Sequence, residues 1–313
     1  MKFAIIGTGG VGGYFGGRLA QSGQDVWFLA RGKHLDAIKS HGLRVHSVDG
    51  NFVVPPAKFT DTPAAIGPAD VILFCVKSYD TEAAAQQLVP MLHDGTMIIS
   101  LQNGVDNEEK LRRAIPRGIV FGGVSYIYST ITAPGVITHT VGPTKIVFGE
   151  LNDEPRRHGS EAKAILDIML KAGINATLVS NIETELWKKF VFISSVGGMT
   201  ALTRLTLGEI LAVPETSTML KDAMRETDAV GRAKGIDLPA GFVDSVFEIL
   251  KKYDNNSRSS MYHDVTHGRP LEIEAFSGTV LRYGKALGIA TPVHHAIYAC
   301  LLPYHLKHSR KHS

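Results

Sequence analysis

Residues Lys2–Gly13 read KFAIIGTGGVGG, and this stretch decides how the rest of the chain is interpreted. The apolar run Phe3–Ile6 has the composition of a strand buried on both faces, and it stops at a cluster of glycines. The residues that follow it can continue as a helix. Gly7, Gly9 and Gly12 therefore fill a G-x-G-x-x-G pattern between a strand and a helix. This pattern gives a tight turn, a close approach of a pyrophosphate to the backbone, and helix N–H groups that bind an anion.

The glycine-rich loop is expected to contact a dinucleotide along most of its length. The expected contact residues are Gly7, Thr8, Gly9, Gly10, Val11 and Gly12. The alternative is a glycine-rich turn that joins a strand to a helix and binds no ligand. The strand before the motif and the helix after it favour the binding site.

The end of the second strand candidate indicates which dinucleotide is bound. Asp25–Leu29 ends in Ala30-Arg31-Gly32-Lys33, about 20 residues beyond the glycines. A site for NAD usually has a carboxylate at this position, whereas an arginine suits the 2′-phosphate of NADP. Arg31 therefore predicts NADP (NADPH), with Lys33 as further help. A solvated basic loop is the other interpretation, because surface arginines are common.

Composition limits the classes of function. A chain of 313 residues suggests two domains, and a net charge of +3 argues for neither nucleic acid nor membrane as a partner. Cys75 and Cys300 are far apart, which predicts buried, reduced thiols without a disulfide. No leader or apolar span precedes or follows the motif, and the histidines near the C-terminus match no metal pattern. We expect a cytoplasmic protein without a metal site, whose terminal residues His305–Ser313 are frayed and solvated.

Strands alternate with helices through the first half of the chain. After the first two strands come the strand candidates Ala69–Val76 and Met97–Leu101, each followed by a helix candidate, Thr81–Leu92 and Glu108–Ala114. This alternation predicts right-handed crossovers and a parallel sheet. Ligands of such sheets bind at the carboxyl ends of the strands. The glycine loop, Arg31, Lys77 and Asn103 all follow strand ends, so we expect them to line one crevice.

The pattern changes in the second half of the chain. Ile119–Tyr128 is rich in β-forming residues, and residues 135–149 read as an appended hairpin. From Ile182 onward only helices are predicted. These are Glu183–Val196, Thr206–Ala212, Thr216–Lys234, Gly241–Lys252 and Glu272–Leu287. The fold class is therefore α/β with a parallel sheet, followed by an all-α C-terminal domain, with the domains at 1–180 and 181–313.

Several short motifs spread along the whole chain resemble those of the ketopantoate reductase (2-dehydropantoate 2-reductase) family. They are IIGTGGVGG, Val76-Lys77, Gln102-Asn103-Gly104, Pro134-Gly135-Val136 followed by His139, Leu186-Trp187-Lys188-Lys189, Ser259-Ser260-Met261 followed by Asp264, and Leu271-Glu272-Ile273-Glu274. The last two blocks are more specific than the glycine pattern. The resemblance implies a Rossmann-type domain, a helical domain, NADPH as cofactor, and an active site in the cleft between the domains.

The resemblance also implies roles for individual residues. The catalytic lysine falls on Lys189 and the glutamate that contacts substrate and cofactor falls on Glu272. Lys77 and Asn103 fall on positions that contact the cofactor. Asn103 also falls on a position that contacts the substrate, and Ser260 falls on the substrate-binding serine. Ketone reduction needs a proton for the oxygen, and a buried lysine can supply it.

Each of these residues has a simpler structural interpretation. A lysine at the edge of an apolar helix can extend to solvent, which fits Lys188 better than Lys189. Glu272 can be a solvated acid at a helix N-terminus, Asn103 a turn residue before Gly104, and Ser260 a helix N-cap.

The resemblance implies reduction of ketopantoate to (R)-pantoate, a step toward pantothenate and coenzyme A. Two positions depart from the family pattern, since Ile193 and Gly197 stand where the family has substrate-binding asparagines. Ser194, Ser195, Asn256 and Arg258 are the candidates to compensate. The alternatives are a related NADPH-dependent reductase of another 2-oxo acid or ketone, and a non-catalytic NADP-binding redox sensor. A sensor needs neither a proton donor such as Lys189 nor a substrate anchor such as Glu272, so the presence of both residues argues against this alternative. The sequence leaves open whether the protein forms a homodimer.

Overall fold

The computed structural model describes residues 1–152 and 158–309, and these residues form two compact units. The first unit comprises Met1–Gln102 and Asn107–Ile182, and the second comprises Asn103–Asp106 and Glu183–Ser313. The short segment 103–106 thus belongs to the second unit although the first unit surrounds it in sequence.

One sheet organises the first unit. Its strands are β1 (Lys2–Ile6), β2 (Asp25–Leu29), β3 (Leu43–Ser47), β4 (Phe52–Val54), β5 (Phe59–Thr60), β6 (Val71–Phe74), β7 (Met97–Ser100), β8 (Ile119–Ala133), β9 (Val136–Glu150) and β10 (Asn175–Leu178). The order across the sheet is β4-β3-β9-β8-β7-β6-β1-β2-β5, and β10 pairs with β9. Among the described strands, only the pairs β3/β4 and β8/β9 are antiparallel. The predicted parallel α/β sheet is therefore confirmed.

Helices connect most of the parallel strands. They are α1 (Gly10–Gln21), α2 (Gly32–His41), α3 (Pro63–Ile66), α4 (Thr81–Gln86), α5 (Asn107–Ala114) and α6 (Gly159–Lys171). Strands β1, β6 and β7 lie side by side at the centre and are almost completely buried, which explains their continuous apolar sequences. Their carboxyl ends place the glycine loop and Lys77 at one edge of the sheet.

The second unit is built from helices, as predicted. They are α7 (Ile182–Thr203), α8 (Leu207–Ala212), α9 (Pro214–Ala233), α10 (Phe242–Leu250), α11 (Ser260–Thr266), α12 (Thr279–Leu287) and α13 (Pro292–Ser309). Helix α7 runs well past the predicted end at Val196. Gly197 and Gly198 continue the helix because neighbouring side chains pack closely on them: a Cβ on Gly198 would lie 2.9 Å from Cγ2 of Ile297. Tertiary packing here overrides the low helix propensity of glycine.

Three predictions about this unit are wrong. The predicted helix Glu272–Leu287 is divided, because a π-helical turn spans Glu274–Gly278 before α12 begins. Helices α11 and α13 were not predicted, since α11 is short and α13 contains Pro303 without a clear apolar stripe. The C-terminal region is not frayed at His305, which is buried and accepts a hydrogen bond from the N–H of Leu271 at 3.1 Å. Residues beyond Ser309 lie outside the described part of the chain.

Two features of the whole chain concern its chemistry. Both cysteines are free, and Cys300 is exposed, so the expectation that both thiols are buried is wrong for Cys300. Among the helices that the structure describes, none combines the length and apolar character needed to cross a membrane.

Candidate functional site

The glycine loop between β1 and α1 is held in place by close backbone contacts. Gly7 adopts a φ of +93°, and a Cβ there would lie 2.8 Å from the backbone nitrogen of Val76. A Cβ on Gly12 would overlap the carbonyl oxygen of Gly7. These two glycines are therefore required by the fold itself, because the start of α1 lies directly on the end of β1. The hydroxyl of Thr8 donates to the carbonyl of Leu29 at 2.9 Å and ties the loop to the end of β2.

Gly9 and Gly10 differ in what surrounds them. A Cβ on Gly10 would overlap the backbone of Ser129 on β8, so this glycine lets the first turn of α1 pack on the sheet. A Cβ on Gly9 would have no described atom within 4 Å. Packing within the described protein therefore gives no reason for glycine at position 9, whereas a phosphate that must approach the backbone does.

The first turn of α1 has the chemistry of an anion site. The helix begins at Gly10, its first N–H groups have no intrahelical acceptor, and its first turn contains no acidic residue. Val11 is partly buried against the core of the first unit. The loop residues and the helix N-terminus thus fit a pyrophosphate group.

Arg31 lies at the start of α2 with its side chain 84% exposed, and its guanidinium pairs with Asp80 at 3.0 Å. Asp80 belongs to a single 3₁₀ turn, Ser78–Asp80, and Lys77 lies just before that turn. The hydrogen bond to Asp80 uses one terminal nitrogen of the guanidinium, a group that carries five N–H donors. An exposed pair of this kind contributes little to stability, so it leaves Arg31 suited to binding a phosphate.

Lys189 and Glu272 are electrostatically coupled within the second unit. Lys189 is on α7 and is partly buried, whereas Glu272 is 4% exposed and precedes the π-helical turn. Burial lowers the pKa of Lys189 to about 8, and the charge of Glu272 acts in the opposite direction and raises it. A lysine with this pKa can donate a proton as the ammonium ion near neutral pH and accept one as the neutral amine at slightly higher pH.

The adjacent Lys188 is in a different environment. It forms an ion pair with Glu185 one turn earlier, at 2.8 Å, and its side chain is partly exposed. The two neighbouring lysines therefore differ in environment: Lys188 is part of a partly exposed ion pair, and Lys189 is acted on by the charge of the buried Glu272.

Asn103 lies in the four-residue segment that belongs to the second unit. Asp106 in this segment accepts hydrogen bonds from Thr279 at 3.2 Å and from Arg282 at 3.1 Å, both on α12. Arg282 also donates to the side chain of Glu274 at 3.1 Å. This ion-pair network holds the segment that carries Asn103 against the element that follows Glu272. Sequence reasoning missed Asp106 and Arg282, and no local signal marks them because they are 176 positions apart.

Ser260 is the first residue of α11 and is exposed. The N-cap is its neighbour Ser259, whose hydroxyl accepts from the N–H of Tyr262 at 3.0 Å and lies 2.7 Å from the hydroxyl of Thr200 on α7. The interpretation of Ser260 as the cap is therefore wrong by one residue. The exposed hydroxyl of Ser260 takes no part in the cap.

The residues proposed to compensate for Ile193 and Gly197 differ in exposure. Ser194 and Ser195 are completely buried, and the hydroxyl of Ser194 donates to the carbonyl of Phe190 at 2.7 Å. Asn256 is exposed, and Arg258 is exposed with its guanidinium 5.3 Å from the ring centroid of Tyr262. The two serines are therefore part of the helix packing.

A buried histidine links α7 to the element after Glu272. His294 is completely buried, and its Nε2 lies 2.8 Å from the hydroxyl of Thr227, which lies 3.2 Å from that of Ser194. Its Nδ1 lies 3.1 Å from the hydroxyl of Ser277 in the π-helical turn. Burial lowers the pKa of His294 to about 4, so the ring is neutral at pH 7. Sequence reasoning missed this group, since a histidine in an apolar helix has no distinguishing signal.

The described residues contain no group of three or more histidine, cysteine, aspartate or glutamate side chains arranged to hold a metal ion.

Comparison with known proteins agrees with this architecture. The family model "Ketopantoate reductase PanE/ApbA" matches residues 3–153, and the model "Ketopantoate reductase PanE/ApbA C terminal" matches residues 181–305. An uncharacterised oxidoreductase of Bacillus subtilis is 31% identical over 304 residues, which covers 97% of this chain and 99% of that protein.

Two solved structures are similar over nearly the whole chain. The PanE/ApbA family ketopantoate reductase of Ralstonia eutropha has a TM-score of 0.89 and 32% identity, covering 99% of this chain and 100% of that one. The 2-dehydropantoate 2-reductase of Geobacter metallireducens has a TM-score of 0.89 and 31% identity, covering 97% and 99% of the two chains. The predicted resemblance is thus confirmed, and the chain belongs to the ketopantoate reductase family.

Proposed function

We propose that this protein is an NADPH-dependent reductase that converts a 2-oxo acid to the corresponding 2-hydroxy acid, with Lys189 as the proton donor. The observation that carries the proposal is the electrostatic coupling of Lys189 on α7 to the buried carboxylate of Glu272, and burial lowers the pKa of Lys189 to about 8. A carbonyl oxygen gains negative charge as its carbon is reduced, and a positioned ammonium both stabilises that charge and donates the proton.

The cofactor proposal rests on the first unit. The open surroundings of Gly9, the first turn of α1 and the exposed guanidinium of Arg31 support a bound dinucleotide with a 2′-phosphate. Lys77 and Asn103 follow strand ends and are proposed to bind the cofactor as well. NADPH supplies the hydride for the carbonyl carbon. In this proposal residues 1–180 bind the cofactor and residues 181–313 carry the catalytic and substrate-binding groups.

The protein's own groups then have separate tasks. Lys189 holds a proton at Nζ and donates it to the carbonyl oxygen. Glu272 keeps that ammonium charged and accepts hydrogen bonds from hydroxyl groups of substrate and cofactor. Asn103 and Ser260 orient the 2-oxo acid substrate. Ketopantoate, which would give (R)-pantoate, is the first substrate to examine, because relatives with solved structures carry that name.

A second candidate within the same chemistry is another 2-oxo acid or ketone. It is favoured by Ile193 and Gly197, which offer no amide group on the face of α7 that carries Lys189. A non-catalytic NADP-binding sensor is the third candidate, and the buried Lys189–Glu272 pair counts against it.

The test measures NADPH oxidation by the purified protein with ketopantoate and a panel of other 2-oxo acids. We expect turnover with at least one acid. Lys189→Met should lower turnover roughly 100-fold or more while NADPH still binds, as judged by its fluorescence. Lys188→Met is the matched control and should remain near wild type. Near-normal turnover by Lys189→Met would exclude Lys189 as the acid, and NADPH binding without turnover of any acid would favour the sensor.

A further inference from the structure

The face of α7 that carries Lys189 continues as an apolar surface. Because an α-helix turns about 100° per residue, positions 193, 197 and 200 follow Lys189 along the same face. Ile193 is partly buried among apolar side chains of the second unit. At the far end, the hydroxyl of Thr200 lies 2.7 Å from that of Ser259 and donates to the carbonyl of Val196 at 2.7 Å. The hydrogen-bonding capacity of Thr200 is therefore used within the protein.

The position of Gly197 is closed by two apolar side chains. A Cβ on Gly197 would lie 3.2 Å from Cε2 of Phe276 and 3.7 Å from Cε of Met261. Phe276 and Met261 are almost completely buried. The ring of Phe276 thus covers α7 where a side chain at position 197 would begin.

This apolar surface is directly connected to the proposed catalytic pair. The N–H of Phe276 donates to the carbonyl of Glu272 at 3.1 Å, so the two residues lie on one turn. The charge of Glu272 acts on Lys189. One turn after Glu272, Phe276 packs on Gly197, which lies two turns after Lys189 on α7. Two interactions thus connect α7 to the segment 272–276, one between charged groups and the other between apolar atoms.

The neighbouring serines do not change the character of this face. Ser194 and Ser195 are buried on the other side of α7, and Ser194 is hydrogen-bonded to Phe190 and Thr227. A substrate hydroxyl placed over the partly exposed Ile193 would lose water and meet carbon atoms. Such a hydroxyl is rejected by a factor of about 10 to 100 relative to the same molecule without it.

We propose that the preferred substrate is a 2-oxo acid whose substituent beyond the carbonyl is apolar and lacks a hydroxyl group. This inference rests on the proposed reductase function and names the substrate class of the same site. Ile193 is the residue that sets this preference, and Phe276 closes the face of α7 beyond it at Gly197. The carbonyl group lies toward Lys189, and the apolar substituent lies along α7 over Ile193.

A matched pair of substrates tests the proposal. Ketopantoate is compared with its deoxy analogue, in which the terminal hydroxyl is replaced by hydrogen, by measuring kcat/KM for NADPH oxidation. We expect the deoxy analogue to be preferred about 10-fold or more. Preference for ketopantoate by the wild-type protein would overturn the substrate class but leave the reductase function standing. No turnover of either acid, or of the wider panel, with NADPH bound would overturn the function and this inference with it.

Variants then test the residue assignment. Ile193→Asn places an amide on the partly exposed face and should shift the ratio of the two kcat/KM values toward ketopantoate by about 10-fold. Ile249→Asn, the same change at a 55% exposed position of α10, is the matched control and should leave the ratio unchanged. An unchanged ratio in a folded Ile193→Asn variant would remove Ile193 from specificity. If that variant does not fold, Ile193→Thr provides the same readout with a smaller polar group.

Discussion

Glu272 raises the pKa of Lys189 while burial lowers it, and the balance leaves the ammonium group with a pKa of about 8. The relation makes the protonation state of Lys189 depend on a single buried acid. It also fixes the direction in which activity must change with pH, since reduction needs the protonated lysine and oxidation of the hydroxy acid needs the neutral one.

The rate of 2-oxo acid reduction should therefore be constant below pH 8 and fall above it, and the reverse reaction should rise through the same pH. Glu272→Gln removes the charge that raises the pKa, so the falling limb should move to lower pH. The measurement is kcat/KM for reduction across a pH series. A limb that stays in place in Glu272→Gln would contradict the coupling. Lys188→Met, which alters only a surface ion pair, should leave the limb unchanged.

The Arg31–Asp80 pair predicts how cofactor preference can be changed. Arg31→Ala should weaken binding of NADPH more than that of NADH, because only NADPH carries the 2′-phosphate. Asp80→Asn removes the competing carboxylate at 3.0 Å and should strengthen NADPH binding. Dissociation constants for both cofactors measure the effect. Asp25→Asn, which breaks the exposed pair between Asp25 and Lys58 at 2.7 Å, is the control. Equal losses of both cofactors in Arg31→Ala would refute the assignment.

The two kinds of glycine in the loop should respond differently to alanine. Gly9→Ala should leave the free energy of unfolding nearly unchanged and weaken cofactor binding, since its Cβ meets no described atom within 4 Å. Gly12→Ala should lower the free energy of unfolding by about 1–3 kcal/mol, because its Cβ overlaps the backbone of Gly7. Denaturant titration and cofactor binding separate the two outcomes. Unimpaired binding by Gly9→Ala would remove this position from the cofactor site.

His294 predicts a loss of stability in acid. Its pKa is about 4 in the folded protein and about 6.5 in an unfolded chain, so only the unfolded state gains a proton between these values. The free energy of unfolding should therefore fall as the pH drops from about 6.5 to 4. His294→Gln should have a smaller fall over this range. His295→Gln changes an exposed neighbour and should follow the wild type. Parallel curves for His294→Gln and the wild type would contradict the prediction.

The sequence predicts the first unit well where an element can be recognised from its own residues alone. The continuous apolar runs of β1, β6 and β7 and the glycine loop are recognisable locally. Strands β3 and β4 are not, because neither is a long continuous apolar run and their place in the sheet depends on the pairing of β3 with β9 and of β4 with β3.

The second unit shows what local reasoning misses. Lys189 and Glu272 are identified by motif, but the π-helical turn after Glu272 depends on side-chain contacts that form only in the folded chain. Thr279 and Arg282 both donate to the carbonyl of Glu274, and a Cβ on Gly278 would lie 2.9 Å from the carboxylate of Glu274. The ring that covers Gly197 belongs to Phe276, which lies far along the chain from it. Neither contact has a local sequence signal.

The segment 103–106 has a practical consequence for engineering. Because Asp106 accepts hydrogen bonds from Thr279 and Arg282, the helical unit is not encoded by one continuous stretch of the gene. A fragment that starts at Glu183 would lack Asp106, and the half-exposed guanidinium of Arg282 would lose this ion pair. Chimeras that exchange substrate specificity between relatives should therefore transplant residues 103–106 together with the C-terminal half.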